Sequence, residues 1–294
     1  MKKTNAVLLA LVILALTVGS AFGHIGEMRF MFQFPDGLEP TLDGEMADWD
    51  IVTDVYKIKA ETQFNQYAAP LDLADYNAWI AWGYNVTKNK AYFGAWVSDD
   101  MVHGSEHFSV QTDWDHGGDH YRAFEQGDDY EARWISAQGQ KHDLAAPAQD
   151  PSGYFVKLSG KTWAAESPWV EWGGQILTGA EGTFEPASFF VEVQITPWDD
   201  IHPDGPDESI MHTMREGDIV GAEICRGDKD LDPGSYDDAY WCGGAGVNAW
   251  KFGDQMQDYL LAPVEEGLPT PTAVEATTWG HIRSEERRVG KECR

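Results

Sequence analysis

The chain predicts an all-β fold, a two-sheet antiparallel β-sandwich in a single domain. Three observations carry that expectation. Short apolar runs, rich in β-branched and aromatic residues, are punctuated by Gly, Asp and Pro along most of the sequence. Two neighbouring runs alternate with a period of two around a polar tip. Long helical periodicity is absent, with at most a helical turn across 207–214.

Taken in order, the expected strands are 28–34, 55–60, 79–85, 91–98, 108–112, 131–136, 154–158, 189–195, 219–225 and 248–252. Residues 79–85 and 91–98 flank a tip carrying Asn and Lys, which reads as a hairpin. Along it, Trp79, Ala81 and Gly83, and then Ala91, Phe93, Ala95 and Val97, form period-2 faces. Among the strand tryptophans, Trp79, Trp82, Trp96 and Trp134 alternate with apolar neighbours and are expected in the core. Trp49 is expected to plug the layer beneath it.

Both ends differ from the body. Residues 1–23 combine Lys2 and Lys3, an apolar run shorter than the roughly 20 residues a bilayer span needs, and a small-residue site at Ala21 to Gly23. They are expected to be a signal peptide that is cleaved, which makes the protein secreted or periplasmic. The sandwich domain is expected over 24–262, followed by a Pro/Thr-containing segment at 263–282. Residues 283–294 break sharply in composition and resemble a translated sequencing adapter. They are read as an artefact, with the natural end lying beyond Ile282; the alternative is a basic tail.

The formal net charge is −28, and the remainder is more acidic still without its two basic ends. Such a chain repels nucleic acid and anionic lipid. Of the three cysteines, Cys293 falls in the suspected artefact. That leaves Cys225 and Cys242, for which an oxidising exterior predicts a disulfide worth about 3 kcal/mol. The alternative is a pair of buried thiols.

The segment 41–50, TLDGEMADWD, is followed by AYFGAWVSDD at 91–100 and by GDIVGAEI at 217–224. These three segments, in this order, resemble a family 9-type carbohydrate-binding module. In that family an L/I-D-G-x-x-x-D-W opening precedes a strand ending in an acidic step. The resemblance implies a jelly-roll or immunoglobulin-like sandwich, structural calcium, and a sugar held between two Trp. It also implies frequent attachment to a glycoside hydrolase; here the module stands nearly alone, as a free-standing binding protein would.

Three acidic clusters are candidate Ca²⁺ ligands, since this ion takes about six to eight oxygens. The first is Asp113, Asp115 and Asp119, with Gly117 and Gly118 between them. The second is Asp228, Asp230 and Asp232, whose spacing departs from an EF-hand at its Gly and lacks the closing Glu. The third is Asp99-Asp100 at a strand end. Each also fits a solvated turn. Hairpin parity places the first and third at opposite ends of the sandwich, so they do not share an ion. His103 with His107, and His116 with His120, share an i,i+4 spacing, but the segment does not read as helix, which removes the geometric reason for a shared metal; with Asp113, Asp115 and Asp119 nearby, Zn²⁺ is the alternative ion. No H-E-x-x-H, G-x-S-x-G or phosphate loop occurs.

Thirteen Trp suit a sugar binder, because a pyranose stacks on a flat indole. A platform must be exposed, so the loop-borne Trp114, Trp163, Trp169, Trp172 and Trp241 are the candidates. Polar partners would come from Arg122, Asp115, Gln126 or Asn248. The expectation is therefore a non-enzymatic protein that binds a poly- or oligosaccharide and carries Ca²⁺. The alternatives are a haem-binding electron-transfer subunit of the same sandwich type, with Met31, Met101, His103 or His107 as ligands, and a structural surface domain.

Overall fold

The computed structural model describes residues 27–67, 70–102, 106–117, 140–145, 155–156, 162–179, 185–202, 204–228, 230, 238–243 and 253–268. The strands expected at 131–136 and 248–252 lie outside them. Two sheets share one strand, β1 (Arg29–Gln33). Its first half pairs with β15 (Gln257–Leu261) and its second half with β4 (Tyr76–Asn85). Both pairings are parallel, a departure from the purely antiparallel expectation: β1 bends from one sheet into the other and has to run alongside both partners.

In one sheet β1 is followed by β4, β5 (Lys90–Asp99), β10 (Ala187–Ile195) and β9 (Val170–Thr178), with β2 (Lys57–Lys59) also against β4. In the other, β15 leads to β13 (Ile219–Asp228), β6 (His107–Asp113), β7 (Gln140–Ala145) and β8 (Phe155–Val156). A side branch joins β14 (Asp238–Trp241) to β13 and β3 (Phe64–Asn65) to β14. A separate ribbon pairs β11 (Trp198–Asp200) with β12 (Ile210–Met211). The long strands explain themselves: their inward positions are mostly aromatic or β-branched with Ala between them, which suits a pleated, half-buried surface.

The main core lies between the sheets. From the first come Ala78, Ile80, Trp82, Phe93, Ala95 and Val191; from the second come Phe108, Val110, Val220 and Ile224. The alternation that buries Trp82 turns Trp79 outward. Trp79 and Trp96 are only half-buried, on the outer face, which corrects their assignment to the core.

That outer face is covered in part by the chain after β1. The 3-10 turn Met46–Trp49 drives Trp49 onto Gly94, where any Cβ would meet the indole at 2.5 Å. Phe34, Tyr56, Tyr92 and Phe190 complete this second apolar layer. Gly44 opens the segment in a left-handed conformation, φ 77°. Its missing side chain lets the backbone lie against Gly174, 2.6 Å from where a Cβ would stand.

Cys225 and Cys242 are not bridged. Cys225 is opposite Trp241 in the β13–β14 ladder, and both belong to an outer cluster; Cys242, one residue on, faces the main core. Successive residues of a strand point to opposite faces, so the two thiols lie on opposite sides of the sheet and the expected disulfide does not form.

Candidate calcium centre and aromatic surfaces

The second and third acidic clusters come together at one end of the sandwich. Asp99 ends β5, Asp75 immediately precedes β4, and Asp228 ends β13. The backbone N–H of Asp100 donates to the Asp75 carbonyl at 3.0 Å, locking the two loops side by side. Because β13 runs antiparallel to β6, its last residues lie beside the start of β6, where Glu106 sits. Carboxylate oxygens of Asp99, Asp228 and Asp230 lie within 4.8 Å of one another, and so do those of Asp75, Asp100 and Asp230. Asp230 belongs to both sets.

Beneath this surface Arg226 is fully buried. Its Nη2 donates to Asp99 at 3.2 Å and to Glu106, and its Nη1 donates to the Gly227 carbonyl. Asp99, Glu106 and Asp228 are nearly sealed from solvent. One guanidinium thus faces three buried carboxylates, with three more at the rim. Burial is the main reason the Asp228 carboxyl is pushed up to about 9; Arg226 opposes that rise, while Asp99 and Glu106 add to it. The donors are all hard oxygens, with no thiolate or imidazole among the described members. That set matches Ca²⁺ better than Zn²⁺, and a divalent cation would offset the carboxylate repulsion that adds to the effect of burial on Asp228. Asp232 lies outside the described residues.

The first cluster is organised differently. The Gly117 N–H is donated to Asp113 at 3.1 Å and to Asp115 at 3.0 Å, so the loop closes on itself. His116 Nε2 lies 2.9 Å from Asp258. Burial, followed by the Asp113 carboxylate, raises the Asp115 carboxyl. Among the described residues no third ligand atom joins Asp113 and Asp115; Asp119 lies outside them. The cluster forms at the opposite end from Asp99, as the strand parity requires.

The tryptophans divide into three groups. Trp114 is only 2 % exposed. It packs edge-on against Trp82 at 6.3 Å and stacks on His212 at 6.3 Å. Trp241 is 3 % exposed, with its Nε1 donating to Gln66 at 3.0 Å. Both are core residues, which corrects their reading as exposed platforms. Trp163 and Trp169 are half-buried and meet Trp198 edge to face at 5.2 and 5.3 Å; Trp163 Nε1 donates to the His202 carbonyl. Trp172 is half-buried against the main core. Arg122, Gln126 and Asn248 lie outside the described residues, as do Trp134, His103 and His120. Of the expected haem ligands, Met31 is sealed in the main core.

Two further acids are unusual. Glu192, on β10, accepts the Gly44 N–H at 2.9 Å and the Trp49 indole N–H at 3.0 Å. Burial pushes its carboxyl up to about 7 against those two hydrogen bonds. Glu223, on β13, accepts from the N–H groups of Gly243 at 2.8 Å and Ile224 at 3.0 Å; burial raises it to about 7 as well. Both are sealed from solvent, so they pin backbone and do not present an acid–base pair to a substrate. The opening motif pointed to Trp49 but not to its acceptor, which stands far away in the chain.

The sandwich is similar in fold to carbohydrate-binding modules of family 9. A family 9 module from Caldicellulosiruptor kristjanssonii, solved with cellotriose, matches over 83 % of this chain and 98 % of its own, with a TM-score of 0.51 at 12 % identity. The same module solved with glucose matches with a TM-score of 0.51, over 100 % of its own length. No family model matches the chain, and no curated protein does. Among the described residues no helix is long and apolar enough to cross a membrane.

Proposed function

We propose that this is a secreted or periplasmic, non-catalytic carbohydrate-binding protein whose loops are pinned by calcium. The observation that carries the sugar reading is the fold itself, shared over 98 % of the length of a module solved with cellotriose. The half-buried pair Trp163 and Trp169 supports it, since indoles held in place at the surface are what pyranose faces stack on. Asp99, Asp228 and Asp230 would hold the ion, with Asp75 and Asp100 at the rim. When bound, calcium would cross-link the ends of β5 and β13 and neutralise carboxylates that otherwise repel. Arg226 already neutralises part of that charge, and Glu106 and Asp99 hold it in place. A glycoside hydrolase is the natural partner of such a module.

The test is a glycan array probed with the purified protein in calcium and again after chelation. Binding to a defined class of neutral glycan, weakened by chelation, is the expected result. A protein silent on the array in the presence of calcium would overturn the carbohydrate reading. Binding that chelation leaves unchanged would overturn the calcium part alone.

A further inference from the structure

We propose a second carbohydrate-binding surface, one that lies flat on the outer face of the β4 sheet and is built on Trp79 and Trp96. The inference rests on the carbohydrate reading above and assigns it a surface that sequence reasoning had placed in the core. The strand register puts five residues in one row across five strands: Lys59, Trp79, Trp96, Phe190 and Gln175. All point outward, because Ile58, Ile80, Ala95 and Val191 point into the core. The neighbouring row in the same register is Asn77, Ser98, Ser188 and Thr178. An aromatic row thus runs beside a row of amides and hydroxyls.

Sugars ask for this combination. The C–H face of a pyranose needs an apolar plane, and its ring of hydroxyls needs donors and acceptors a few ångströms to the side. Strands stand about 4.8 Å apart, close to the length of one sugar ring, so a chain lying across them meets a new strand at each unit. Trp79 and Trp96 are half-buried and pack against the outer apolar layer. Trp79 lies 6.5 Å from Trp49 and 5.8 Å from Phe190, so its ring needs little further ordering when a ligand arrives. Lys57 Nζ stands 4.7 Å over the Trp79 ring, a cation close enough to donate to a hydroxyl at the ring's edge. Asn77 and Ser98 are partly exposed. Among the described residues neither their side chains nor the two indole N–H groups have a hydrogen-bond partner in the protein.

On the other side the row is bounded by Gly94 and Glu192, where Trp49 covers the sheet. The Trp49 plug therefore serves as the wall of a shallow trough whose floor is Trp79 and Trp96. The occupant that fits is a neutral, flat oligosaccharide with equatorial linkages, such as a β-1,4-linked glucan or xylan segment. A polyanionic glycan is disfavoured by the net charge of −28.

The experiment is calorimetric titration of the full protein with β-1,4-linked gluco- and xylo-hexasaccharides. Wild type is compared with Trp96→Ala, with the Asn77→Ala/Ser98→Ala pair and with Trp169→Ala, each checked for native circular dichroism and oligomeric state. Trp96→Ala is expected to weaken binding about tenfold or more, and the polar pair about threefold to tenfold. The polar pair sits on the surface, so it remains informative should the Trp96 variant fold poorly. If wild type binds and both sets of variants bind equally well, the trough is overturned while the carbohydrate reading stands. Loss confined to Trp169→Ala has the same meaning and places the sugar at the other aromatic group. A dimer dissolved by Trp96→Ala, with glycan affinity unchanged, would assign the face to a second copy and overturn the proposal. Absence of binding by wild type overturns both the trough and the reading beneath it.

Discussion

Glu223 shows how much one residue can hold. Its Oε1 takes two backbone N–H groups, while Oε2 is buried with no hydrogen-bond partner among the described residues. The folded carboxyl titrates near 7, against an ordinary value of 4.5. Between those pH values the folded protein keeps a proton that the unfolded chain has released. The stability this group contributes is therefore complete below about pH 4.5 and falls as pH rises to 7, by about 3 kcal/mol. Glu192 works in the same direction. Glu223→Gln keeps the accepting oxygen and removes the charge. Urea unfolding of this variant should show a flatter pH dependence from 5 to 7.5 and, at pH 8, stability no lower than wild type. A variant that loses stability across that range as steeply as wild type would refute the assignment. Trp114 belongs at this scale too. As a core residue against Trp82, its replacement by Ala should cost about 3–5 kcal/mol. A thermal melt at the wild-type temperature would return it to the surface.

At the scale of elements, β13 does the most. One strand supplies Val220 and Ile224 to the core, Glu223 to the Gly243 backbone, and Arg226 and Asp228 to the carboxylate cluster at the end of the sandwich. Removing the guanidinium leaves Asp99, Glu106 and Asp228 buried together, so Arg226→Met should destabilise by about 3–5 kcal/mol and is measurable by chemical denaturation. Stability within 1 kcal/mol of wild type would show that these acids are neutral in the folded protein. Much of this strand was legible: its apolar alternation, its acidic end and the acidic end of β5 all appear in the sequence. Their meeting was not legible, because β5 and β13 belong to different sheets and only the strand order brings Asp99 to Asp228. The buried arginine gave no local signal. Trp114 was misread for a nearer reason. The glycines and acids after it suggest an open loop, yet Phe108, Val110 and Trp114 share the parity of β6 and all face inward. Parity carried one residue past the strand would have found it. The same parity, begun at Ala78 in place of Trp79, would have turned Trp79 and Trp96 to the outside.

For the whole molecule the governing fact is charge. With a net charge of −28, compaction concentrates carboxylates, and monovalent salt relieves that only by screening. Among the described residues, Asp75, Asp99, Asp100, Asp228 and Asp230 form the sets of three carboxylates close enough to share an ion, so a divalent ion bound there would add stability by mass action and not by screening. Ligand at about 100 times its dissociation constant stabilises by about 2.7 kcal/mol. The melting temperature should therefore rise in millimolar CaCl₂, by several degrees, and return to its starting value on chelation. NaCl at matched ionic strength should reproduce only a minor part of the rise. Asp228→Asn removes a carboxylate that would ionise on binding the ion, and it should abolish most of the calcium response while the NaCl response persists. Equal shifts in CaCl₂ and matched NaCl, or a full calcium shift in Asp228→Asn, would mean that the ion acts on the diffuse acidic surface and that the clustered carboxylates hold no specific site.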